Sequence, residues 1–202
     1  VPEVADICGA AAARFAELGC EVAEACPDFS GAPETFQTLR AGGYAAGVGR
    51  LLAEHRDELK PEVVWNIEKG LKLTAQEIGM AELARGALIR RMGEFFQEYD
   101  LLACPVTQVP PFDVEMRYMD EINGQKMESY IDWFAITFAL TLTGCPAISL
   151  PCGFTEAGLP VGLQLIGPRR GEGMLLSAAA AAEEMLDLAG LLPIDPRERA
   201  GV

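Results

Sequence analysis

Two neighbouring stretches decide the fold: Pro146-Ala147-Ile148-Ser149-Leu150-Pro151-Cys152-Gly153-Phe154 and Gly158-Leu159-Pro160-Val161-Gly162-Leu163-Gln164-Leu165-Ile166-Gly167-Pro168. Ala147 to Leu150 reads as a strand interrupted by Pro151 and Gly153, and Val161 to Ile166 as a second strand after the turn signal Glu156-Ala157-Gly158-Leu159-Pro160. Apolar strands joined by so short a connection are expected to lie close together in one sheet. Leu101 to Cys104, stopped by Pro105 and followed by a loop stiffened by Pro110 and Pro111, predicts a buried strand. Cys20 to Ala25, with alternating Cys20, Glu21 and Val22 before Pro27, predicts a fourth, half-buried one.

Helical spacing fills the intervals. Val4, Ile7, Cys8, Ala11, Phe15 and Leu18 share one face, and Gly19 stands where a left-handed cap would fall. Thr35 to Leu59 is helical in pattern, but Gly42, Gly43, Gly47 and Gly49 each weaken a helix by roughly 1 kcal/mol relative to Ala, so either close packing needs them or the helix is broken. Residues 61 to 69 read as a short helix opened by Pro61 and capped by Gly70. Thr74-Ala75-Gln76-Glu77 is a capping-box sequence, predicting that the longest helix begins there, with a core stripe of Ala81, Ala84, Leu88, Met92, Phe95 and Tyr99. Met116 to Glu128 is polar, with a turn at Asn123-Gly124. Tyr130 to Thr143 is apolar nearly all round, which predicts a fully buried helix ended by Gly144. Glu172 to Ala189 predicts a final alanine-rich helix capped by Gly190, with a loosely held tail beyond Pro193. Strands interspersed with helices place the fold in the α/β class, as a mixed β-sheet flanked by helices. Four strands leave an edge that needs a partner.

With 202 residues, half of them hydrophobic, the chain can bury a real core. A net charge of −14 repels phosphate backbones and anionic lipid, and the only basic clusters are the pairs Arg90-Arg91 and Arg169-Arg170. Nucleic acid and membrane are therefore not expected partners. The six cysteines form no C-x-x-C pair and lie largely in apolar surroundings, which points to free thiols and a cytoplasmic location. The apolar run Trp133 to Cys145 falls short of the ~20 residues of a membrane span. No His/Cys cluster has metal-ligand spacing, so neither metal nor cofactor is expected.

Tyr99-Asp100-Leu101-Leu102-Ala103-Cys104-Pro105-Val106-Thr107, Thr141-Leu142-Thr143-Gly144-Cys145-Pro146-Ala147-Ile148-Ser149-Leu150-Pro151-Cys152-Gly153-Phe154 and Gly158 to Pro168 resemble, in order and spacing, three segments of the amidase-signature hydrolases. Leu73-Thr74-Ala75, Ala81 and Arg85 are similar to the family's long helix, and Thr141 departs from the Asn many members carry. The resemblance implies amide hydrolysis through a serine acyl-enzyme. It also implies that residues 1–202 are the C-terminal half of a single amidase-signature domain. The family's Ser-Ser-Lys triad belongs to a Gly/Ser-rich N-terminal half that is not in this sequence. The four serines, Ser30, Ser129, Ser149 and Ser177, lie in no such run, so no catalytic residue is assigned and the chain alone is expected to be inactive.

For this half the resemblance implies part of the substrate cleft, with Thr107, Trp133, Phe134 and Thr137 as the substrate-binding candidates. Phe134 or its neighbours fall where members acting on amino-acid amides can place an acid, which implies a preference for apolar or aromatic acyl groups. Trp133 and Phe134 read equally well as core aromatics. His55, in Glu54-His55-Arg56-Asp57-Glu58, reads as solvated; Ser149, lacking a G-x-S-x-G elbow, as a strand residue; and Arg169-Arg170-Gly171 as a polar turn that could also hold an anion. The expected partners are a small-molecule amide substrate and the N-terminal half, with a homo-oligomer as a further option. Two other readings stand beside the hydrolase: the A-type subunit of a tRNA-dependent amidotransferase, against which the missing acidic anchor near Trp133 speaks, and a non-catalytic binding or scaffold module.

Overall fold

The structure, a computed structural model, describes residues 1–187. Its elements run α1 (Pro2–Ala13), α2 (Ala32–Val48), α3 (Leu51–Glu54), α4 (Pro61–Leu71), α5 (Ala75–Phe95), β1 (Leu102–Pro105), β2 (Glu121–Ile122), β3 (Gln125–Lys126), α6 (Ala135–Thr141), β4 (Ala147–Phe154), β5 (Pro160–Ile166) and α7 (Glu172–Leu186). They divide into two compact units. Among the described residues the first comprises Val1–Ala25, Asp100–Asp113 and residues 146–187; the second comprises Cys26–Tyr99 and Val114–Cys145.

The first unit is a three-stranded sheet in the order β1-β5-β4 with α1 and α7 packed on it. Both pairings are antiparallel, so among the described residues the sheet is not the mixed one expected. The reason is local: Thr155–Leu159 folds into a turn in which the Thr155 N–H donates to the Leu159 carbonyl at 2.8 Å and the Leu159 N–H to the Thr155 hydroxyl at 3.0 Å. A return that tight can join only antiparallel neighbours. β4 continues through Pro151 to Phe154 by means of a bulge between Pro151 and Gly153, where the sequence suggested an interruption. The core is aliphatic: Val4, Cys8, Ala11 and Phe15 of the first helical segment meet Leu150, Val161, Leu163 and Leu165 of the sheet and Leu175, Ala179 and Ala182 of α7. α1 tightens into a 3-10 turn over Arg14–Leu18 and stops at Gly19 in the left-handed region, where the sequence placed the cap.

Cys20 to Ala25 forms no strand. Residues 20–24 are all exposed, Val22 included, and alternation without a partner edge cannot make a ladder. α7 ends with Asp187 in the left-handed region, and the Gly190 cap and the tail beyond Pro193 lie outside the described residues.

The second unit is helical. α2 ends before Gly49, and Arg50 leads into the short α3, so the glycine-rich stretch is a broken helix, one of the two outcomes its composition allowed. Close packing is present too, but at Gly70. This residue lies inside α4 instead of capping it, and a Cβ there would fall 2.0 Å from the carbonyl oxygen of Ala41 on α2. α5 opens with the full capping box: the Glu77 N–H donates to the Thr74 hydroxyl, and the Thr74 N–H to the Glu77 carboxylate at 2.7 Å. Its stripe buries Ala81, Leu88 and Met92, leaves Ala84 exposed, and ends in the stacked rings of Phe95 and Tyr99, with Tyr99 past the helix end. Asn123 and Gly124 both take positive φ, giving the turn of the small β2-β3 hairpin. The expected fully buried helix over 130–143 is instead a 3-10 turn, Asp132–Phe134, followed by α6. Most of its side chains are half-buried, because only Ile131, Phe138, Leu140, Leu142 and Thr143 face the interior.

Candidate functional site

Thr107 and the other three candidate residues belong to different units. Thr107 lies in the loop after β1, half-buried, and its hydroxyl donates to the Val109 carbonyl at 2.8 Å. Trp133, Phe134 and Thr137 lie together in the second unit, all half-buried, on the 3-10 turn and the first turn of α6.

There the aromatic rings form a chain. Trp133 meets Phe134 edge-on at 5.1 Å between centroids, Phe134 meets Phe138 edge-on at 5.9 Å, and Phe138 stacks on Phe36 of α2 at 4.4 Å and 9°. One turn along α2 from Phe36 is Arg40. Its guanidinium carbon stands 5.8 Å from the Phe36 ring, 5.1 Å from that of Tyr44 and 5.8 Å from that of Tyr130. Contacts of this kind hold a cation through the ring quadrupoles.

Arg40 is the residue that the sequence reading missed. It donates to the Tyr130 hydroxyl at 2.7 Å, the same oxygen that accepts from the Asn66 amide at 2.7 Å. Asn66 is wholly buried on α4, and its other contact runs to the Glu62 carbonyl one turn back. Two polar atoms in this centre are buried without a hydrogen-bond partner among the described residues, Arg40 Nε and Asn66 Oδ1. No carboxylate pairs with Arg40 among the described residues. The signal that could have found it is the i, i+4, i+8 spacing of Phe36, Arg40 and Tyr44, which puts a cation between two rings on one helix face.

Around this centre the remaining polar groups are satisfied locally. Ser129 donates its hydroxyl to Asp132 at 2.8 Å and its N–H to the same carboxylate at 2.7 Å, while Gln37 donates to the Ser129 hydroxyl at 3.0 Å. The acid beside Trp133 is thus engaged within its own turn. Lys69 lies 4.9 Å from the Trp65 ring centroid and reaches Gln37 at 3.4 Å.

Among the described residues no serine hydroxyl is bonded to a lysine or histidine. Ser149 is exposed on β4, Ser177 donates back to the Gly173 carbonyl, and His55 is half-exposed and bonded to Glu58. No group of three or more His, Cys, Asp or Glu is placed to hold a metal ion among the described residues, and no helix there is long and apolar enough to cross a membrane. Arg170 takes positive φ in a turn closed by the Gly171 N–H on the Pro168 carbonyl.

The Amidase family model matches residues 15–176. This chain belongs to the amidase family. An acylamidase of Rhodococcus erythropolis is 29% identical over 197 residues, which is 96% of this chain and 41% of the relative. The second A-type subunit of the glutamyl-tRNA(Gln) amidotransferase of Clostridium acetobutylicum is 41% identical over a shorter stretch, 45% of this chain and 18% of the relative. In fold, the chain is similar to a bacterial aryl acylamidase of the amidase-signature family, at a TM-score of 0.79 and 24% identity, over 95% of this chain and 43% of that one. A 6-aminohexanoate cyclic dimer hydrolase also reaches 0.79, at 22% identity, over 92% and 41% of the two chains. The amidase-family chain thus spans about two fifths of the length of the relatives it matches end to end.

Proposed function

We propose that this chain is the substrate-wall half of an amidase that hydrolyses carboxylic amides through a serine acyl-enzyme, the nucleophile and its base lying in sequence outside these 202 residues. Family membership supports the reaction class. The observation that supports the division of labour is that none of the four serines is hydrogen-bonded to a lysine or histidine among the described residues. Acyl transfer needs such a pair to make the nucleophile.

In this reading the chain contributes shape and polarity. Trp133 and Phe134, both half-buried, offer ring surface to an apolar or aromatic acyl group, and Arg40 supplies a positive charge beside the Phe36 ring. Both Asp132 oxygens accept from Ser129, so the acid next to Trp133 is held within its own turn. That favours acylamidase-like substrates over amino-acid amides. The amidotransferase reading has one observation in its favour, the 41% identity over 91 residues to the A-type subunit from Clostridium acetobutylicum.

The test is Trp133→Ala and Phe134→Ala in the active enzyme. Selectivity between aryl and short aliphatic acyl groups should shift by about 10–200-fold, the range of one apolar pocket contact. A flat selectivity ratio with a collapsed Tm would make both residues core and remove them from the site.

A further inference from the structure

The first unit contains a thiol pair that the amidase reading leaves unused. Cys8 on α1 and Cys152 on β4 are 144 residues apart in sequence, and their sulfurs lie 3.8 Å apart. Cys8 is buried, at 3% exposure, whereas Cys152 is half-buried.

The placement has a structural cause. Cys152 is the extra residue of the β4 bulge, opposed to no residue of β5 because Pro151 pairs with Gly162 and Gly153 with Val161. The bulge side of β4 is pressed against α1: a Cβ on Gly153 would stand 2.8 Å from the Ile7 side chain. The helix residue next to Ile7 is Cys8, whose S–H also lies 3.5 Å from the Gly162 carbonyl. Two thiols are therefore held on facing elements, Cys8 within the aliphatic core and Cys152 packed against it.

We propose that Cys8 and Cys152 are a peroxide-oxidisable dithiol that closes to a disulfide and ties α1 to the sheet. The sulfurs need to approach by about 1.8 Å to reach bonding distance, a movement within the reach of side-chain rotation. Hydrogen peroxide, or a hydroperoxide of similar size, is the oxidant. One thiolate attacks a peroxide oxygen, gaining an S–O bond as the O–O bond breaks and hydroxide leaves. The second thiol then displaces that oxygen as water and the S–S bond forms. Two thiols and one peroxide give one disulfide and two waters, each sulfur having lost one electron. The contact with Cys152 holds the Cys8 thiol below its ordinary range despite burial, and the same contact together with burial raises that of Cys152. Whichever sulfur the peroxide oxidises first, the other stands in place to close the bond.

The experiment treats the purified protein with equimolar hydrogen peroxide and follows intact mass, non-reducing peptide mapping and Tm. The expected result is loss of two hydrogens, a Cys8–Cys152 cross-linked peptide, a Tm rise of about 5–10 °C that dithiothreitol reverses, and no such rise in Cys8→Ser or Cys152→Ser. In Cys8→Ala, the half-buried Cys152 should stop at a sulfenic acid that dimedone traps. Oxidation confined to the exposed Cys20 and Cys26, or oxygen addition at Cys152 without the cross-link, would overturn the proposal. Serine variants keep the pair's volume nearly unchanged, so an altered Tm before oxidation is a packing effect that the reduced control subtracts.

Discussion

The two units of this chain fill their interiors differently. The first is filled with aliphatic side chains between a three-stranded sheet and two helices, and its buried polar side chains are answered close by: Gln164 donates to the Pro105 carbonyl at 2.9 Å, and Thr155 closes its own turn. The second buries an amide, places a guanidinium among three rings, hangs both on one tyrosine hydroxyl, and leaves two polar atoms unanswered. Burying a polar atom without a partner costs on the order of 1–3 kcal/mol. The contrast is the physical reason to look for function along Phe36, Arg40 and Trp133, and for stability in the sheet.

The contrast can be broken or sharpened by substitution. The largest effect is expected at Gly70→Ala, because the new Cβ would meet the Ala41 carbonyl at 2.0 Å and backbone cannot step aside cheaply. We expect a loss of more than about 3 kcal/mol in urea unfolding. A loss below about 1 kcal/mol would mean that α2 and α4 separate without penalty. Next, Leu165→Ala empties a fully buried site in the sheet and should cost about 2–5 kcal/mol. In the active enzyme it should leave acyl selectivity untouched. A selectivity change of the size expected for Trp133→Ala would erase the distinction between the units.

Tyr130→Phe should cost about 1–3 kcal/mol, since it strips the acceptor shared by Arg40 and Asn66. Unlike Leu165→Ala it should also raise KM, because the guanidinium loses the contact that orients it. A stability loss with KM unchanged would make the Arg40 centre structural. The smallest effect belongs to the α5 cap: Thr74→Ala should cost about 1 kcal/mol. Hydrogen bonds from Thr74 hold the fully exposed Glu77 below its ordinary carboxylate value. The contribution is therefore complete above the unfolded value, disappears as pH falls through the lower folded value, and should make the wild-type-to-Thr74→Ala difference shrink in acid. A difference independent of pH would show that the box is not formed.

How much of this was legible beforehand follows the same division. Strand-turn-strand at 147–166, the Gly19 cap and the Thr74 box each rest on contacts within a few residues, and sequence records such contacts directly. Cys20 to Ala25 misled because period two describes a strand only if another strand pairs with it, and nothing at 20–24 is buried. The mixed sheet misled because direction depends on which strands neighbour each other. At the site, Trp133 and Phe134 drew attention through the family resemblance. Arg40 did not, since its meaning comes from Tyr130, 90 residues away, and from Asn66 on another helix. Gly70 was read as a cap, because a helix-helix approach leaves no local mark distinct from a helix end.

On the proposed function, this chain shapes an amide substrate site and the nucleophile comes from another part of the enzyme. The most direct measurement is hydrolysis of a panel of aryl and aliphatic amides by the purified 202-residue chain, repeated after co-expression with the N-terminal half of an amidase-family enzyme. No turnover is expected from the chain alone, and turnover from the two halves together, with an acyl preference that Trp133→Ala changes. Turnover by the chain alone that is lost in Ser149→Ala would contradict the proposed function, making an exposed strand serine the nucleophile.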